Sequence, residues 1–111
     1  MGKKERNGTM TRTRAEVKEQ GTPTKYKRIY VENFGNVADN IIRVHTHAGG
    51  VFMVFEKSLS TRNAWRKLSA SMEQKRALIV EYYVRDYGNR ITEDHNVIIN
   101  IKLLSRSQKN E

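Results

Sequence analysis

Aromatic rings set beside arginines are the residues of this chain best suited to chemistry. The run Lys25 to Tyr30, KYKRIY, places Tyr26, Arg28 and Tyr30 on one side of an extended chain. Arg43 and His45 share a face of a second run, Phe52 belongs to a third, and Tyr83 and Arg85 to a fourth. Phe34, Tyr87 and Arg90 fall in or beside polar connections. Rings offer π-faces for stacking, worth ~1–3 kcal/mol per base, and guanidinium groups hold phosphates, so the pattern suits single-stranded DNA or RNA. The candidate set is Arg28, Tyr30, Phe34, Arg43, His45, Phe52, Tyr83, Arg85 and Arg90. Within it Arg28, Arg43, Arg85 and Arg90 would hold phosphates, while Tyr30, Phe52 and Tyr83 would stack bases. The plainer reading is that aromatics are favoured in strands for packing, with outer rings covering the arginine stems.

Composition agrees with a polyanionic partner. The 111 residues carry 21 lysines and arginines against 12 acidic residues, a net charge of +9. Apolar residues make up 37%, enough for one small core in one domain. The chain has no cysteine, which excludes disulfides and thiolate metal sites and suits a cytoplasmic location. No apolar run approaches the ~20 residues of a membrane-spanning helix, and the first residues lack the apolar stretch of a secretory signal.

Reaction chemistry finds little support. GxSxG, the P-loop, GxGxxG and HExxH are absent. His45 and His47 could offer two metal ligands on one strand face, with His95 or Asp39 as a third, but no carboxylate cluster accompanies them. Glu93, Asp94 and His95 are neighbours on a polar loop, a place where such residues are usually solvated. Asp39, Glu56 and Glu81 are scattered along the chain. The expectation is a non-catalytic binding protein without metal or cofactor.

These side chains must be positioned by a small set of elements. One helix stands out, within Ser58 to Arg76, where Trp65, Leu68 and Met72 recur on one stripe. Ser60 is its candidate N-cap. Three strand-like runs precede it: Lys25 to Asn33, Asp39 to His47, and Val51 to Glu56. Phe34-Gly35-Asn36 reads as a turn after the first run, and Ala48-Gly49-Gly50 as a hairpin connection before the third. In the third run Val51, Met53 and Phe55 form the expected core set. Two runs follow the helix. Ala77 to Arg85 has Leu78, Val80, Tyr82 and Val84 inside; Asn96 to Leu104 has Val97, Ile99, Ile101 and Leu103 inside. Residues 1–24 read as a disordered basic arm, because Lys3, Lys4, Arg6, Arg12, Arg14 and Lys18 come with almost no apolar periodicity. Residues 25–105 form the domain, and 106–111 a polar tail.

Three strands, a helix and two strands resembles the chain order of the OB-fold superfamily, over roughly Tyr26 to Leu104. The resemblance lies in element order and loop placement. It implies a five-stranded antiparallel barrel with the helix capping one end between strands 3 and 4. It also implies a ligand face on strands 2 and 3, flanked by the connections Phe34 to Ala38 and Asp86 to His95. The alternative fold is an open antiparallel α+β sheet with the helix across one face. The alternative function is a protein-interaction module of a phage, plasmid or secretion assembly, meeting its partner through a sheet edge or through outward Ile41, Val54 and Ile79.

Overall fold

Tyr30 alone separates two strands that stand at opposite ends of the same sheet. The computed structural model describes residues 11–85 and 96–105. Its elements in chain order are α1 (Arg14–Glu19), β1 (Lys25–Ile29), β2 (Val31–Ala38), β3 (Ile41–Thr46), β4 (Val51–Phe55), α2 (Thr61–Gln74), β5 (Leu78–Val84) and β6 (Asn96–Leu103). The strand order is β1-β5-β6-β4-β3-β2. A flat sheet of that width spans ~24 Å at ~4.8 Å per neighbour. One residue cannot cross that distance, so the sheet curls into a half-barrel.

The fold is mainly β, with α2 after β4, as the sequence predicts. The expected five antiparallel strands in a closed barrel are corrected to six strands in a mixed, half-barrel sheet. Two things cause the difference. The first predicted run divides at Tyr30, and its second part, β2, absorbs Phe34-Gly35-Asn36, which therefore extend rather than turn. The chain reverses instead at Asp39-Asn40, where Asn40 takes φ 60, a left-handed value that asparagine tolerates. In addition, β4 and β6 run parallel and meet at Met53 and Val97, which excludes the all-antiparallel alternative too.

The curl creates a concave core and an outer face. Ile29, Val31, Ile42, Val44, Phe52, Val54, Leu78, Val80, Ile98 and Ile101 pack inside with Ala64 and Leu68 of α2. Phe52 and Val54 belong here, so the inward set of β4 is the opposite of the one expected. Phe52 meets Tyr82 edge to face at 5.0 Å. On β6 the parity switches: Asn100 pairs Glu81 and Ile98 pairs Tyr82, leaving Ile99 as an extra residue. Ile101 and Ile98 therefore face inward, while Val97 and Ile99 face outward.

Part of the outer face is also covered. Residues 11–24, expected to be disordered, run across it. Thr13 and Glu16 form a reciprocal capping box that starts α1, and Val17 is buried against Tyr83, Val97, Ile99 and Phe55. One buried residue on a six-residue helix gives no periodicity to read in a sequence. Residues 1–10 and 106–111 lie outside the described residues.

Helix α2 begins where Ser60 Oγ accepts from the Asn63 N–H at 3.3 Å. The Glu56 carboxylate accepts from the Thr61 N–H at 2.9 Å and its hydroxyl at 2.7 Å, and these bonds hold its pKa below the ordinary value. The helix buries Ala64, Leu68 and Ser71. Trp65 and Met72, expected on the buried stripe, lie to one side of it and remain 42% and 40% exposed. Small residues let α2 sit close to the sheet, and the large ring is displaced to the flank.

Candidate nucleic-acid interface

Strand β1 is paired on one side only, with β5, and forms an end of the sheet. Tyr26 and Arg28 lie opposite Glu81 and Ile79 and point outward; Lys25 and Lys27 lie opposite Tyr82 and Val80. All four are exposed, and Tyr26 is 66% exposed. Tyr30 follows at 44% exposure. The Arg28 guanidinium stands 5.9 Å from the Tyr30 ring centre and donates to its hydroxyl at 3.4 Å. Ring, cation and ring thus stand in a row, with two further lysines on the same strand.

The other predicted residues go to different places. Arg43 and His45 face outward on β3 and are half-buried. Arg43 sits between Gly35 of β2 and Met53 of β4, where the glycine adds no side chain over it. Phe34, half-buried on β2, meets Trp65 edge to face at 4.7 Å. Phe52 is in the concave core and cannot stack on a ligand. Tyr83 does face outward, but α1 buries it completely. Arg12 lies over its ring at 4.9 Å, and the Arg12 N–H donates to the Tyr83 hydroxyl at 3.2 Å. Arg85 is half-buried over the Phe55 ring at 4.8 Å and donates to Thr11 Oγ1 at 3.0 Å. Arg90, Tyr87, and Glu93 to His95 lie outside the described residues. Arg28, Arg43 and Arg85 do not converge on one concave surface, since they stand on β1, on β3 and just beyond β5. The outward aliphatic patch does not form either, because Val54 is in the core.

The carboxylates serve the fold. Glu81 is buried beneath α1 and accepts from Lys18 Nζ at 2.5 Å and Thr24 Oγ1 at 3.0 Å. Burial pushes its pKa up, but hydrogen bonds from Lys18, Thr24 and Tyr26 outweigh that and leave it below the ordinary value. Glu56 caps α2, and Asp39 lies in the β2–β3 turn. Among the described residues no three His, Asp or Glu side chains gather around a common point. No helix among them is long and apolar enough to cross a membrane.

The sequence reading missed a second aromatic site, between α2 and β2. Trp65, Arg62, Arg66, Thr61, Asn36 and Ile42 line a shallow hollow of about 420 Å³. Further along, Tyr30, Val31, Glu32, His47, Ser71, Met72 and Lys75 line another of about 370 Å³. The available signal was Ala64, Leu68 and Ser71 at i, i+4 and i+7, a narrower inward stripe that leaves Trp65 outside it. Neither a scan against protein-family models nor a search of curated proteins finds a match to this chain.

Proposed function

We propose that this chain binds single-stranded nucleic acid, DNA or RNA, with little sequence preference and without catalysing a reaction. The observation that carries this reading is the exposed row of Tyr26 and Arg28 on β1 and Tyr30 just after it, with Lys25 and Lys27 exposed on the same strand. Lysines and arginines on a sheet edge also discourage pairing with a stray strand, so the cations alone would not decide the matter. Tyr30 and the ring of Tyr26, whose hydroxyl reaches Glu81, are exposed among them and have no part in edge protection. They fit bases stacking beside held phosphates. The same cations weigh against strand addition by a partner protein. The net charge of +9 adds a general attraction for the backbone.

We also infer a relation to the OB-fold superfamily. In support, β1 and β2 act as one long first strand bent at Tyr30, with its halves at the two ends of the sheet. The second half continues past Gly35 to Ala38, which makes this first strand long.

Titration of labelled single-stranded DNA, single-stranded RNA and duplex at two salt concentrations tests the function. Single strands should bind more tightly than duplex, with affinity falling as salt rises. Tyr30→Ala should cost ~1–3 kcal/mol of single-strand binding with the salt slope unchanged. Absence of binding, or preference for duplex, would overturn the reading.

A further inference from the structure

We infer that the groove between α2 and β2 is a base-stacking track, with Trp65 at one end and Tyr30 at the other. The assignment rests on the single-strand reading above and places the ligand somewhere that reading did not. Trp65 is the only tryptophan of the chain and is 42% exposed. Phe34 braces it edge to face at 4.7 Å, which fixes the ring while leaving much of it in water. Arg62 and Arg66 stand three residues before and one after it on α2, both exposed and both lining the same hollow. Among the described residues no acidic side chain lines that hollow. At the other end Tyr30 lines the second hollow with Met72, His47 and Lys75, where one acid, Glu32, is also present. From Trp65 to Met72 the helix rises ~10 Å, so the track suits a few nucleotides.

The chemistry selects the class of ligand. A fixed, half-exposed indole between two guanidinium groups offers a stacking face and phosphate donors in one place. An apolar segment of a partner protein would have to bury both guanidiniums beside the ring, at a desolvation cost that phosphates would avoid. The hollows are shallow, and Tyr30, which lines the second, also stands beside Arg28 of β1, so an extended strand can follow both surfaces.

The single tryptophan makes the test direct. A short labelled oligothymidylate is titrated into the full chain while label anisotropy and Trp65 fluorescence are followed together. The expected result is quenching of Trp65 with the same midpoint as the anisotropy change. Trp65→Ala should weaken binding roughly tenfold, and Trp65→Phe should restore most of the loss because a stacking face returns. The double variant Arg62→Ala, Arg66→Ala should flatten the plot of log K against log salt by ~1.4, about 0.7 for each phosphate contact. Binding with unchanged Trp65 fluorescence in the parent chain would overturn the track, whatever the variants do to folding, and leave the β1 reading standing. No binding at all would overturn both.

Discussion

Arginine beside an aromatic ring occurs on two sides of this molecule with opposite consequences. Under α1, Arg12 covers Tyr83 and Arg85 covers Phe55, and each guanidinium is engaged by the segment laid over the sheet: Arg12 by Gln20 and Thr22, Arg85 by Thr11. There the pairs hold the fold together. On β1 and along α2, Arg28, Arg62 and Arg66 stand exposed beside Tyr30 and Trp65, with no described element above them. Residue type and strand parity are the same in both places. What differs is whether another described piece of chain covers the face, and only the exposed side is open to a ligand.

The largest effect that would sharpen this contrast is on stability. Tyr83→Ala removes a fully buried ring and the acceptor of the Arg12 N–H, and should cost about 3–5 kcal/mol in urea unfolding. A loss below about 1 kcal/mol would mean that α1 does not seal the outer face.

Acid should act on the same side. Glu81 has a folded pKa below its ordinary 4.5. Its bonds to Lys18, Thr24 and Tyr26 therefore stabilise the fold above that pH, and the contribution is lost as the pH falls through the lowered value. The urea midpoint of the parent should fall steeply below pH 4.5. Glu81→Gln should cost about 1.5–3 kcal/mol at neutral pH, the range for hydrogen bonds to a charged group, and should flatten the acid dependence. An equal acid slope in both proteins would show that other carboxylates govern it.

On the exposed side, Trp65→Ala should cost only about 1–2 kcal/mol, because the ring loses one aromatic contact and partial burial. A cost matching that of Tyr83→Ala would break the comparison, since Trp65 would then be a core residue.

Much of the scaffold was legible in the sequence. Alternation put Arg43 and His45 on one face of β3, and Ile42, Val44 and Thr46 are buried on the other; Ser60 identified the start of α2, and the glycines at 49 and 50 marked the β3–β4 turn. The failures have local causes. Phe34-Gly35-Asn36 carries turn chemistry, yet pairing with Val44, Arg43 and Ile42 holds it extended. One extra residue at Ile99 reversed the parity of the first half of β6. For the candidate residues only exposure can be compared: Arg28 and Tyr30 are exposed at the edge of the sheet, as strand parity suggests, while outward Tyr83 is buried because Val17, nearly alone in a polar segment, brings a lid over it. Trp65 was misjudged because hydrophobicity was read without size: an alanine and a serine, not the tryptophan, fit the narrow contact with the sheet.

The smallest effect discriminates most finely. Lys75 ends α2 with φ 55 and ψ 47, in the left-handed region that favours glycine, and its N–H donates to the Ser71 carbonyl. It also lines the hollow beside Tyr30. Lys75→Gly relieves the left-handed strain and loses some unfolded-state advantage, so it should stabilise the fold by up to about 1 kcal/mol. The same change removes a cation from the track and should flatten the single-strand salt slope by ~0.7. Fold and binding would then move in opposite directions at one residue. Substitutions under α1 are not expected to produce that result, because the groups there are buried beneath it. A glycine variant that is more stable and binds with an unaltered salt slope would show that Lys75 meets no phosphate and that the track ends short of it. Unchanged stability with a flattened slope would show instead that the left-handed cap costs lysine little, and that the residue is present for its charge.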